Sequence, residues 1–180
     1  MSSIIITTDR IALRPIEISD LDAIHELHSL SETDEYNTLG IPNTIEDTRS
    51  VIAPWIVNNN EPIIKNYTLA IELKTDQRLI GLVGLKIAPA KFRKAEIWYK
   101  IQLNFWNQGY ATEAVRAVIH YGFDILNLHR IEAGCAVDNI GSIRVLEKVG
   151  MTKEGRGRKI LPLKAGWSDN FQFSILESEI

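Results

Sequence analysis

Phe105-Trp106-Asn107-Gln108-Gly109-Tyr110-Ala111-Thr112-Glu113-Ala114 lies between a strand-like run and the start of an amphipathic helix. From Ala111 onward, Ala111, Val115, Val118, Gly122 and Ile125 recur at i, i+4, i+7, i+11 and i+14, which places them on one helical face directed at a core. The preceding Glu96-Ile97-Trp98-Tyr99-Lys100-Ile101 is rich in aromatic and β-branched residues and reads as a strand. A tight loop at a helix N-terminus follows. The first helical N–H groups have no intrahelical partner and the helix dipole adds positive potential there, so the loop suits an anion such as a pyrophosphate. Gly109 allows a close backbone approach. Taken alone, the stretch is equally compatible with a glycine in an ordinary strand-to-helix turn, and the order of elements on either side has to decide.

Working back towards the N-terminus, Tyr67–Leu73 and Leu79–Ile87 read as strands joined by a polar segment of hairpin length and expected to pair antiparallel. Gly81 and Gly84 lie inside the second of these and do not have the spacing or position of a dinucleotide fingerprint. Ile11–Pro15 reads as a first strand stopped by proline, and Ser19-Asp20 caps a helix carrying Leu21, Ile24, Leu27 and His28. Ser31–Glu35 reads as a polar loop, either plain solvated surface or an attractor of cations. Thr44, with Glu46 and Asp47 in the first turn, starts a second helix that Pro54 should kink or end, with Trp55 packed inward.

Working forward, Arg130–Val137 reads as a strand, Asp138-Asn139 as a cap, and Ile143, Leu146 and Val149 as one face of a helix stopped by Gly150. Met151–Glu154 and Phe171–Leu176 read as closing strands, with Gly155–Lys159 and Lys164–Trp167 as loops between them. The expectation is an α/β (α+β) architecture. It has a mixed central sheet of about seven strands and about four flanking helices, with an antiparallel first half and a parallel pair at the centre, in one domain spanning 1–180.

Composition bounds the function. The 180 residues, 45% hydrophobic and 24% charged, are enough for a disulfide-free core. A formal charge of -3 argues against general nucleic-acid binding. Cys135 is the only cysteine, which rules out an intrachain disulfide and any multi-cysteine metal site; it reads as core, with a nucleophile as the alternative. His25 and His28 lie at i and i+3 without an evident third ligand, so no metal is expected. The N-terminal Met1–Asp9 lacks signal-peptide character and no apolar run is long enough to span a bilayer. A cytoplasmic protein with no membrane partner, monomeric or homodimeric, is expected.

In this order, the residues resemble the GNAT superfamily of N-acetyltransferases, and within it the RimJ/RimL-like branch that acetylates ribosomal-protein N-termini. The resemblance covers nearly the whole chain. It is carried by Arg10–Pro15, Ala95-Glu96-Ile97 with Tyr99, Trp106 with Gly109–Ala114, Leu128–Ala133, Asn139, and Ser142–Lys148 with Gly150. Trp106 stands where the superfamily has Gln or Arg, a substitution that looks like the branch.

The resemblance implies acetyl-CoA as co-substrate, held between the two parallel strands. Trp106, Asn107, Gln108, Gly109, Tyr110, Ala111 and Thr112 would bind it, its pyrophosphate on backbone N–H groups of Asn107 to Thr112. It also implies a bulge in the central strand that aims the Ile101 backbone N–H at the thioester carbonyl. Asn139 would contact the pantetheine arm, unless it serves only as a helix cap; Ser142 would assist the departing thiolate, unless it is only a first-turn residue. The acceptor is a primary amine, either a protein N-terminus (a ribosomal protein included) or a small amine. Glu96 is the first candidate base for it, with its orientation left open. Segment 156–166 lacks the acidic residue found in some members of the branch. Instead, Arg156, Arg158, Lys159 and Lys164 make it basic, for contact with CoA or acceptor or for solvation alone. That departure keeps a second function class open: a CoA-binding sensor or partner module without catalysis. His120 and His129 read as structural.

Overall fold

A computed structural model describes residues 5–180, so the first four residues of the N-terminal stretch lie outside the description. One sheet with strand order β1-β2-β3-β4-β5-β6-β8-β7 organises the fold. The strands are β1 (Ile6–Thr7), β2 (Ile11–Pro15), β3 (Asn66–Leu73), β4 (Leu79–Ile87), β5 (Lys94–Ile101), β6 (Arg130–Ala136), β7 (Thr152–Leu163) and β8 (Gly166–Leu176). The helices are α1 (Leu21–Ser29), α2 (Ser31–Asp34), α3 (Ile45–Asn59), α4 (Tyr110–Asp124) and α5 (Ile140–Lys148). All neighbouring strands pair antiparallel except β5 and β6, the expected parallel pair at the centre.

Side-chain alternation along each strand divides the core between the two faces of the sheet. On one face Leu69, Ile71, Val83, Ile97 and Ile131 pack with Val115, Val118 and Ile119 of α4 and Leu146 of α5. On the other, Ala70 and Leu82 meet Leu21, Ile24 and Leu27 of α1 and Ile52 of α3, with Trp55 and Trp98 at the margin, their rings 5.7 Å apart. Gly84 on β4 makes room for the Trp98 indole, since a Cβ there would collide with it.

Several expectations need correction. The sheet has eight strands because β1 adds an edge, and there are five helices because Ser31–Asp34, read as a polar loop, forms one helical turn. Pro54 neither ends nor breaks α3, which runs to Asn59. It lies on the exposed side, where the carbonyl it leaves without an N–H partner can be hydrated. Asn59 then fastens the helix end to the sheet: its amide donates to Thr68 O (2.6 Å) and accepts from Thr68 N (3.0 Å). The basic loop Gly155–Lys159 is part of β7. Only the second expected loop, around Lys164-Ala165, is a turn, so the closing strands form one long hairpin. The bulge expected in β5 is also missing, since its register with β4 is unbroken from Ala95 to Ile101.

A charged cluster locks β2 to the first helix. Arg14 donates to both carboxylate oxygens of the buried Asp20 (2.8 Å each) and to Glu72 (2.8 Å). The Asp20 hydrogen bonds, followed by those to Glu72, raise the guanidinium pKa despite partial burial. Arg14→Ala leaves that carboxylate unpaired. We expect a loss of about 3 kcal/mol of stability, the scale of breaking a buried pair, measurable by urea unfolding.

Candidate active site

β5 and β6 pair only through Lys94↔Arg130, Ala95↔Ile131 and Glu96↔Glu132, then diverge while β6 continues against β8 as far as Ala136. Gln102 donates its N–H to Ile80 O (2.9 Å), and alternation along the ladder turns the Ile101 and Tyr99 N–H groups towards the β6 side. Past Glu96 no strand covers that edge. Two backbone donors, not Ile101 alone, therefore open onto the gap.

At the open end of the gap sits the loop before α4. Gly109 has φ +85° and ψ -1°, a left-handed conformation suited to glycine, and Asn107 has φ +60°. The first helical hydrogen bond is Glu113 N to Gly109 O (3.0 Å), and Gly109 has no side chain to act as a cap. The N–H groups of Tyr110, Ala111 and Thr112 thus lack helical partners and are available to an anion. The Trp106 indole donates to Ile101 O (2.7 Å), which ties the loop to the end of β5. Arg10 holds the other side, donating to Gln108 O (3.0 Å) and Glu113 Oε2 (2.7 Å) and lying over the Tyr110 ring. Burial works to raise the Glu113 pKa, but hydrogen bonds from Thr8 and Arg10 prevail and hold it below the usual carboxylate range.

The gap widens into a cavity of about 520 Å³ lined by Ile101, Trp106, Asn107, Gly109, Tyr110, Ala111, Thr112, Asn139 and Ser142, among others. Gln108 is not on this wall; its side chain turns back to Asn104 O (2.7 Å). A second cavity, of about 390 Å³, opens on the α1/α3 side of the sheet and is walled by His28, Tyr36, Trp55, Trp98 and Glu96. Glu96 faces only this second space, five residues and roughly 16 Å along the strand from Ile101. The two cavities share Tyr36, Asn37, Tyr99, Lys100, Asn139 and Ser142.

On the shared wall, the Tyr99 hydroxyl meets Ser142 Oγ (2.7 Å) and Ser142 O (3.2 Å). Burial pushes the Tyr99 pKa up, opposed by its bond to Ser142, so the phenol stays protonated across the physiological range. Asn139 Oδ1 accepts from Ser142 N (3.0 Å), so this residue does cap α5 while also lining both cavities. The Cys135 thiol is buried and its pKa is raised by that burial, as suits a core residue. His129 pairs with Glu177 (3.1 Å) and lines neither cavity; nor does His120. His25 bonds to Thr48 Oγ1 (2.7 Å), and no group of three His, Cys, Asp or Glu that could hold a metal occurs among the described residues. No described helix is long and apolar enough to cross a membrane.

Two of the four cations in the basic segment have partners outside the cleft. Arg156 donates to Asp169 (2.7 Å), and Lys159 reaches Asp169 through its N–H and Trp167 O through Nζ. Of residues 156–167, only Leu161 lines either of these two cavities. The acidic segment, by contrast, does reach the cleft, through Glu32 and Glu35. Sequence reasoning missed the Tyr99 hydroxyl and Lys100. Their only signal was strand alternation, which puts neighbouring residues on opposite faces and becomes informative only once the gap beside β5 is known.

His28 is buried, and burial first, then Lys100 and His25, bring its pKa down to about 4. Between pH about 6.5 and 4 the unfolded chain takes up a proton at this residue while the folded chain does not, so stability falls as pH drops through that window. The expected loss is about 2 to 3 kcal/mol. Urea midpoints for the wild type and His28→Gln across this range should show a shallower pH slope in the variant.

A parallel strand pair opened beside an uncapped helix N-terminus, with donors along one free edge, is an arrangement suited to an extended, phosphate-bearing ligand. The family described as Acetyltransferase (GNAT) domain matches residues 10–152. The chain belongs to this family and is an acetyl-CoA-dependent N-acetyltransferase. It is 36% identical over 177 residues to the uncharacterized N-acetyltransferase YnaD of Bacillus subtilis (strain 168), covering 97% of this chain and 98% of that one. The crystal structure of a GNAT-family acetyltransferase from Bacillus anthracis superimposes with a TM-score of 0.86 at 33% identity, covering 98% of this chain and 100% of that one. The spermidine N-acetyltransferase of Vibrio cholerae, in complex with CoA and spermine, gives 0.82 at 25% identity over 94% and 96% of the two chains.

Proposed function

We propose that the protein moves an acetyl group from acetyl-CoA to a primary amine by direct attack in a ternary complex. The amine is a protein N-terminal α-amino group, as in the RimJ/RimL-like branch, or a small amine, as the Vibrio cholerae relative's name indicates for that protein. The observation that carries this reading is the pair of cavities meeting at one wall, with space for a donor on one side and an acceptor on the other. The N–H groups of Tyr110, Ala111 and Thr112 bind the donor's phosphates, and Arg144 and Lys148 line the same cavity. The Ile101 and Tyr99 N–H groups stabilise the carbonyl oxygen as it gains charge. Ser142 and Tyr99 supply hydroxyls to the departing sulfur. Glu96 on the acceptor side favours a cationic amine, and Glu32, Glu35 and Asp138 add negative potential at the donor side of the shared wall. A cytoplasmic setting belongs to this reading, in keeping with the single, buried, unbridged Cys135.

A calorimetric titration with acetyl-CoA, followed by thiol release on adding N-terminal peptides and spermidine, tests it. Saturable binding and amine-dependent release are expected. Binding without release would instead favour the sensor module, and no binding would remove the donor assignment.

A further inference from the structure

On the shared wall, one side chain is unaccounted for by the chemistry so far. Lys100 is 7% exposed, its Nζ has no hydrogen-bond partner, and it borders both cavities. It projects from β5 on the same face as Leu82 and Trp98, the face covered by α1 and α3, and is adjacent in sequence to both gap-facing N–H donors. A buried ammonium without a partner is costly, so the site is built either for an anion or for a neutral amine.

The surrounding charges decide between these. Glu96 lies four residues back on β5 in the second cavity; Asp34 on α2 is 4% exposed, with Oδ1 also unpartnered; Glu32, Glu35 and Asp138 line the first cavity. From α1, His28 lines the second cavity with Lys100, and His25 also acts on His28; from α5, Arg144 and Lys148 line the donor side. In the second cavity, the acceptor side, Glu96 is the lining carboxylate and Lys100 the lining cation, with Asp34 close enough to act on Lys100 electrostatically, so a cationic species such as a protonated amine is favoured there. A lysine meeting that cation at the junction of the two spaces serves it as a proton acceptor.

We propose that Lys100 is the general base of the acetyl transfer, taking the proton that the acceptor ammonium must lose before it can attack. This rests on the transferase reading above and names the residue that prepares its acceptor. Neutral Lys100 Nζ takes one proton and frees the nitrogen lone pair. The nitrogen bonds to the thioester carbonyl carbon and the C–S bond breaks. The second proton of the nitrogen passes to the sulfur through the Tyr99 and Ser142 hydroxyls, and Lys100 returns its own proton to water. Burial lowers the Lys100 pKa to about 8, against a smaller upward pull from Asp34, which makes the neutral form accessible near neutral pH and matches an α-amino group.

The test uses the full-length protein, Lys100→Arg and Lys100→Met, with spermidine and an N-terminal peptide as acceptors. In the wild type, kcat should rise with pH to a plateau above about 8. Both variants should lose about 100-fold in kcat and lack that inflection, with acetyl-CoA affinity within threefold of wild type. An arginine keeps the charge and cannot serve as a base, so a Lys100→Arg enzyme with half or more of wild-type kcat overturns the proposal and leaves the transferase reading standing. Titration of the lysine Nζ resonances by NMR, with Lys100 assigned by its absence in Lys100→Arg, should find it near 8; a value near 10 also overturns the proposal. A wild-type protein that binds acetyl-CoA but releases no thiol with any amine overturns both readings at once.

Discussion

Gly109→Val is expected to weaken acetyl-CoA binding roughly 30-fold, about 2 kcal/mol, the scale of a favourable anion contact at a helix N-terminus. The residue sits at φ +85°, where a β-branched side chain is strained whatever space surrounds it, and its Cβ would come within 3.4 Å of the Arg10 guanidinium. Relaxing that strain turns the Tyr110, Ala111 and Thr112 N–H groups away from a common target. It also disturbs the Arg10 to Gln108 O bond that fixes the loop. The fold should lose only about 1 to 2 kcal/mol, because the loop contributes little to the core. Gly109→Asn is the informative companion, since asparagine tolerates the left-handed region and should retain most of the affinity. Calorimetry on both variants, with thermal melts as the control, checks this; equal affinity in Gly109→Val and wild type would take the loop out of the binding site.

Tyr99→Phe should lower kcat about 100-fold while leaving the acetyl-CoA KM within threefold, the pattern for an interaction made during reaction rather than in binding. The phenol and the Ser142 hydroxyl form a two-hydroxyl chain on the wall shared by both cavities. Ser142→Ala should cost less, since Tyr99 can still donate to the Ser142 carbonyl. If the two hydroxyls act in series, the double variant should be no slower than Tyr99→Phe. Additive losses would show that they act separately. Thiol release at saturating donor and acceptor measures all three variants.

Much of this architecture could be read in the residues. The antiparallel β3–β4 pair, the parallel β5–β6 crossover and both capped helices at Thr44 and Asn139 follow from patterns local to a few residues. The loop at Trp106–Thr112 was legible for the same reason. Errors arose where distant packing overrides local signals. Pro54 survives in α3 because its face is open to water. Glycines and cations at 155–159 suggested a loop, yet β8 supplies a partner for that strand, and Asp169 supplies one for Arg156. The site was half visible. The loop donors follow from the order of elements and the Ile101 donor from the family resemblance, but Tyr99 and Lys100 become notable only when β6 parts from β5 and leaves one edge free. Their neighbours Trp98 and Ile101 carry equally hydrophobic sequence signals and end up as core and cleft wall.

The strand order also bears on how the chain is made. β8 inserts between β6 and β7, so the edge of β6 that faces away from the gap is paired by Gly166–Leu176, a strand that follows β7 in the chain. Until that strand is in place, β6 has a free edge along Arg130–Ala136. β3 to β5 can settle early through local antiparallel pairings, whereas the outer edge of β6 waits for the β7–β8 hairpin to slot in. A chain cut before Gly166 would therefore leave the Arg130–Ala136 edge open to pairing with a second chain, an aggregation route that the β7–β8 hairpin closes.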